Sequence, residues 1–202
     1  MFSSLRCGAQ RASSVRVSRF RAVVTLLVLA CVLPILPGRA ATLERLTFDE
    51  MTSSATDIIY GQVLGSRVTV KNDSIYTHYS VQVQERWKGS RQLVMDVVLP
   101  GGEAGGMRQK FAGVPRLDTG AQYVMFLWTG ASGTTQLLGL TQGLFAVREN
   151  EVGELTASRG VSGELMLDRL GKAVQDQAVK MPLREMSSRV KTIAAAKAKA
   201  FQ

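Results

Sequence analysis

Along most of this chain apolar and polar side chains alternate with a period of two, the pattern of strands with one dry face. The clearest case is IYTHYSVQVQERWKG, residues 75–89. Ile75, Thr77, Tyr79, Val81, Val83 and Trp87 fall on one face; Tyr76, His78, Ser80, Gln82, Gln84 and Arg86 fall on the other. This alternation predicts a long antiparallel strand with one wet face, ending at Lys88-Gly89. Before it, DIIYGQVLGSRVTV predicts a strand bent at Gly61 and Gly65, and KNDS supplies the turn between the two. RQLVMDVVL predicts a third strand. QYVMFLW is apolar on both faces and should be the most buried one. TTQLLGL and GLFAVREN predict two more, with GELTAS pairing back across ENEVG. Many short strands parted by glycine-bearing turns imply a mainly β fold, a barrel or sandwich.

Two segments depart from that period. In LTFDEMTSSA, Thr47 with Glu50 three residues on fits a capping box, so a short helix is expected from about Phe48 to Ala55. Leu43, Leu46 and Met51 would cover a core edge. The end, MPLREMSSRVKTIAAAKAKAFQ, predicts a helix over about 182–200, with Pro182 in its first turn and Lys197 and Lys199 in its last. Leu183, Met186, Val190 and Ile193 make one stripe. Such a stripe implies docking on the chain's own barrel; a partner or a membrane surface is the alternative. The expected organisation is a barrel domain over residues 41–157 and a C-terminal extension over 158–202, without internal repeats.

Composition first suggests a nucleic-acid partner, because the formal charge is +9. Its placement removes that reading. Arg6, Arg11, Arg16, Arg19 and Arg21 precede the apolar run AVVTLLVLACVLPILP, and GRAAT follows it. A cationic stretch, an apolar stretch and small residues have the form of a secretory signal, residues 1–40, cut after Ala40. A retained anchor is the rival, but the run falls short of the roughly 20 residues that span a bilayer and contains Pro34 and Pro37. Acylation at Cys31 of VLAC is the third option; it places bulky Leu29 where a small residue is wanted. Cleavage leaves 19 Lys and Arg against 16 Asp and Glu, a net charge of +3. That balance leaves no footprint for DNA or RNA. Both cysteines, Cys7 and Cys31, leave with the signal, so the remaining core must hold without disulfides. The expected compartment is secreted or periplasmic, with no stable membrane span after processing.

Candidate chemistry begins with VVLPGGEAGGMRQKFAGVP, residues 97–115. A phosphate-binding loop needs GxxxxGK[ST] and a following helix. Gly101, Gly102, Gly105 and Gly106 miss that spacing, and GxGxxG is absent too. The expected structure is therefore a wide connection between strands, with glycines at positive φ or under closely approaching backbone. A loop on a rigid barrel is also where recognition sits. The candidate binding surface is Gly101, Gly102, Glu103, Gly105, Gly106, Arg108, Lys110 and Arg116.

No catalytic set and no cofactor or metal motif assembles elsewhere. His78 is the single histidine, on the wet face of its strand, with no G-x-S-x-G elbow to serve. A solvated role is expected for it. Ser188 and Lys191 form S-x-x-K on the terminal helix without S-D-N or K-T-G, and read as helix surface. Trp87 and Trp128 could stack on a sugar, yet both lie on strand faces that read as core. Asn72-Asp73-Ser74 matches a glycosylation sequon that a hairpin turn explains equally.

The segment SATDIIYGQVLGSRV…YTHYSVQVQERWKG resembles the opening of netrin-like modules, the group that includes tissue inhibitors of metalloproteinases. The matching residues are Asp57, Ile58, Ile59, Gly61 and Val63, then Lys88 and Gly89. The resemblance implies an OB-like five-stranded barrel with flanking helices, and binding to a protein, a protease included. The inhibitors' zinc-chelating N-terminal cysteine has no counterpart here, so that mechanism does not carry over. LPGGEAGGMRQKFAGVPRLDTGAQYVMFL through GLTQGLFAV looks like a group of uncharacterised exported bacterial proteins. Together these features imply an exported, non-enzymatic binding module for a protein or an envelope polymer. The alternatives are a carboxylate-based hydrolase, using acids such as Asp96 and Glu103, and a structural subunit docking through the terminal helix.

Overall fold

A computed structural model describes residues 42–200. The signal segment, its cut after Ala40 and the acylation option at Cys31 lie outside the described residues. Thirteen strands and two α-helices are placed in the order β1 (Thr42–Glu44), α1 (Phe48–Ser54), β2 (Asp57–Lys71), β3 (Ser74–Lys88), β4 (Val94–Pro100), β5 (Gly102–Ala104), β6 (Met107–Gln109), β7 (Gln122–Thr129), β8 (Thr135–Leu137), β9 (Leu144–Glu149), β10 (Leu155–Arg159), β11 (Leu165–Leu167), β12 (Ala173–Val174), β13 (Val179–Pro182) and α2 (Leu183–Ala200).

The fold is mainly β, as the alternation predicts. β2, β3 and β4 form an antiparallel meander; β7 pairs with β2, and β8 bridges β7 to β4. The resulting ring, β2-β3-β4-β8-β7, has the strand order of an OB-like barrel but does not close firmly. Its weak seam is β4–β8, a parallel contact through Val97 and Thr135. The far edge of β7 is split, since Leu127–Thr129 lean on β8 while Gln122–Met125 lean on β9. From that split the sheet continues outward as β9, β10 and β13.

Two cores follow from this geometry. Inside the ring lie Ile59, Val63, Val81, Val97, Met125 and Leu127. Outside it, Ile58, Val124, Phe126 and Phe145 meet Met51 of α1 and Leu183, Met186 and Val190 of α2. β7 feeds both cores, which is why its apolar residues show no alternation. The stripe on α2 is thus covered by the chain's own sheet.

Local structure repeats several expectations. Thr47 and Glu50 form the reciprocal capping box at the start of α1. Asn72 and Asp73 take φ of 49° and 60°, the left-handed pair that a two-residue hairpin turn requires. Pro182 closes β13 instead of opening the helix, which starts at Leu183.

One face assignment is corrected. Trp87 is buried, but in the helix-side core and away from Val81. Pairing runs from Gly61↔Val83 to Tyr60↔Glu85, so Gln84 is an extra residue on β3. That bulge inverts the alternation after it, and a second shift, from Ile59↔Arg86 to Ile58↔Lys88, falls at Trp87 itself.

Candidate functional site

The glycine-rich segment is a folded hairpin, where the sequence suggests a wide connection. β5 and β6 pair across Gly105 and Gly106, whose φ values are 56° and 77°. Gly101 and Gly102 answer to close approach. A Cβ on Gly102 would stand 2.7 Å from Thr77 Oγ1 and 3.1 Å from an Ile75 methyl. The backbone therefore lies directly on β3, where Gly101 N–H donates to Ile75 O and Thr77 Oγ1 donates to Gly101 O, both at 2.7 Å. Gln109 completes the clasp by accepting from Ile75 N and donating to Asp73 O. These glycines shape the hairpin and seat it on β3.

The hairpin roofs a groove of about 630 Å³ between β2 and the segment 110–119. Gly101, Gly102, Glu103, Arg108, Lys110 and Arg116 line it, whereas Gly105 and Gly106 stand at the hairpin tip with open space around them. Glu103 and Arg108 are paired with each other. Among the described residues, Lys110 and Arg116 have no ion-pair partner. The groove floor is apolar, with Val68, Leu99, Phe111, Val114 and Leu117.

A larger groove, about 1210 Å³, runs over the outer face of β3 and β4 between two hairpin turns. One end is the β2–β3 turn at Asn72; the other is the β7–β8 turn, Gly130–Thr134. Trp128 projects into it and is 47% exposed, which corrects the expectation that it is core. It sits beyond the last doubly covered residue of β7, Leu127, and faces Gln136 on β8. A Cβ on Gly130 would meet the Trp128 ring at 2.9 Å, so the glycine gives the indole room beside the turn.

His78 is also corrected, for it is held in place, with its side chain 18% exposed. Its Nδ1 is 2.8 Å from Asp96 Oδ2, and its Nε2 is 3.0 Å from Thr69 Oγ1. Arg67 donates to the same Asp96 oxygen at 2.9 Å. Hydroxyl, imidazole and carboxylate in a row resemble a nucleophile relay. Here the carboxylate oxygen is shared with Arg67, so its charge is already partly answered. Asp96 and Glu103 line different grooves, each tied to an arginine. They do not converge as a two-carboxylate mechanism would need.

The residues that carry the netrin resemblance have structural duties. Asp57 is buried and accepts from Ser90 N at 2.7 Å and Ser90 Oγ at 3.0 Å. Gly89, at φ 102°, permits this, since a Cβ there would lie 2.2 Å from Asp57 Oδ1. Lys88 Nζ donates to the carbonyls of Thr52, Ser53 and Ala55 at 2.8, 3.1 and 2.6 Å, closing the C-terminus of α1. Burial, then the nearby Lys197, lowers the pKa of this ammonium, and Asp57 opposes them.

Among the described residues, no group of three or more His, Cys, Asp or Glu is disposed to hold a metal ion, and no helix is long and apolar enough to cross a membrane. Ser188 and Lys191 are exposed on α2, on helix surface as expected. Comparison with protein-family models, curated proteins and solved structures yields no match.

Proposed function

We propose that this chain is an exported, non-enzymatic binding module that holds a polysaccharide of the cell envelope along the outer face of β3 and β4. One observation carries the reading: Trp128, half exposed, stands beside a turn at the end of a long groove lined mostly by polar residues. A sugar ring is an apt cover for an exposed indole because its C–H face is apolar. Around it Tyr76, His78, Gln92, Asp96 and Gln136 offer hydroxyl, imidazole, amide and carboxylate groups at the spacing of adjacent strands. The pairing of His78 with Thr69 and Asp96 holds those groups ready, which lowers the entropy lost on binding. In OB-type barrels generally, this strand face and the two flanking turns receive oligomeric ligands. The arrangement favours holding over cleaving, because both carboxylates of this groove are committed, Asp57 to Ser90 and Asp96 to Arg67 and His78, while Glu103 lies in the other groove.

Cosedimentation with insoluble polymers tests the proposal, using peptidoglycan sacculi and cellulose as probes. The protein is expected to leave the supernatant with at least one polymer, and Trp128→Ala is expected to abolish this while leaving the thermal midpoint within about 2 °C. Because Trp87 is buried, Trp128 also reports directly: soluble fragments of the bound polymer should shift its emission to the blue. Equal sedimentation of Trp128→Ala, or no sedimentation with either polymer, refutes the proposal.

A further inference from the structure

β2 has two halves with different neighbours. From Ile58 to Gln62 it is paired on both sides, with β3 and with β7. After the bulge at Leu64, Gly65–Lys71 is paired with β3 alone. Among the described residues, no strand and no backbone hydrogen bond covers the other edge of that half. At about 3.4 Å per residue the exposed edge is roughly 20 Å long. In an antiparallel pair every second residue turns its N–H and C=O outward, so this edge presents a row of unmet donors and acceptors. Proteins blunt such an edge with proline, a covering element, a bulge or charged side chains. This one carries the bulge at Leu64 and the cations Arg67 and Lys71, which turn away a cationic strand but not an acidic one. Val68 and Val70 share the groove face and are 40% and 52% exposed, beside Phe111 at 48%. Arg67 and Lys71 stand on the opposite face, and Lys110 and Arg116 flank the groove.

We propose that this edge receives an extended segment of a partner protein, alternately apolar and acidic, which adds to β2 as a further strand. The chemistry of both faces fixes that choice. A strand paired with Gly65–Lys71 would place every second side chain on Val68 and Phe111, in the smaller groove, and on Val70, next along the same face of β2. Its intervening side chains would meet Lys71, and Arg67 beside its ion pair with Asp96, where opposite charges across a pair are stabilising. Main-chain hydrogen bonds supply affinity, and the two faces supply specificity. A second copy of this chain fits less well, since edge-to-edge pairing would set Arg67 and Lys71 against their own equivalents. The site adjoins the Trp128 groove along one face of β2, where Thr69 and Lys71 line that groove and Arg67 bonds its Asp96.

The protein as recovered from its producing cells is titrated into a fluorescein-labelled peptide of four Val-Glu repeats, and fluorescence polarisation is read. Three companions accompany it: a Val-Lys repeat, and two Val-Glu peptides N-methylated at every second residue, one set on each edge. Saturable binding of the Val-Glu peptide is expected, weakened about tenfold or more for Val-Lys and for one of the N-methylated peptides. Val70→Asp, at an exposed position, should weaken binding similarly with no change in polymer cosedimentation. Absence of binding, or equal binding by both N-methylated peptides, overturns the inference, because side-chain stickiness then accounts for everything. A dimer in sedimentation velocity that Val70→Asp dissociates also overturns it, because the edge would be occupied by a second copy.

Discussion

Replacing Lys88 by methionine should destabilise the whole domain, although this lysine lies near the surface. Its ammonium spends all three donors on the carbonyls of Thr52, Ser53 and Ala55, of which Thr52 and Ala55 belong to buried residues. Hydrogen bonds to a charged group contribute about 1.5–3 kcal/mol each, and an acceptor left buried without a partner costs about 1–3 kcal/mol. The three do not add fully. Lys197 also donates to Ser53 O, and the methionine keeps the packing of the aliphatic stem. A net loss of about 2–4 kcal/mol is expected, which for a domain of this size is a fall of about 5–15 °C in melting temperature. Urea unfolding followed by circular dichroism gives the number, with an unchanged m-value marking a native-state effect. Lys88→Arg is the informative control: a flat guanidinium does not converge on three carbonyls as an ammonium does, and it should recover less than half of the loss. A Lys88→Met variant within about 0.5 kcal/mol of wild type would refute the idea that this cation closes α1.

Phe126 is fully buried between Phe48 and Phe145, so Phe126→Ala should cost about 3–5 kcal/mol and lower the midpoint in urea. Gly102→Ala should cost more than an ordinary surface change, about 1–3 kcal/mol by the same assay, since a Cβ meets Thr77 and φ is 140°. Burial would raise the pKa of Asp176, but the bonds from Arg159, Ser162 and Gln177 outweigh it and hold the carboxyl below its ordinary value of 3.8. A depressed carboxylate stabilises the fold above its unfolded pKa and loses that contribution as pH falls through the folded value. The gap between wild type and Asp176→Asn, about 3 kcal/mol at pH 7 for a buried pair broken on one side, should therefore narrow below about pH 4 in acid titrations read by circular dichroism. An unchanged gap down to pH 2 would count against the ion pair.

Period, caps and turns were legible because each is a local property. Thr47 and Glu50 announce α1 within four residues, and Asn72-Asp73 announces its turn by conformational preference. Register was not legible. The Gln84 bulge leaves no compositional trace, since it is a matter of how β3 registers against β2, and so the alternation puts Trp87 on the wrong face. The exposure of Trp128 depends on where β8 and β9 divide the edge of β7, a fact about other strands. His78 joins Asp96 only through the offset of β3 against β4, eighteen residues apart in the chain. The glycine segment was half read: positive φ was foreseeable, whereas the contact of Gly102 with Thr77 and Ile75 belongs to the tertiary fold.

The two ends of the described chain are worked into one another. β1 pairs with β11, Gln142 bonds Glu44 O and Leu46 N, and Lys197 reaches back 144 positions to Ser53. A polypeptide laced in this way has no early stopping point, because these early and late segments cannot meet until the whole span between them is made. Pairings of such long sequence separation slow folding, so the domain is expected to lock only once its final helical turns are available.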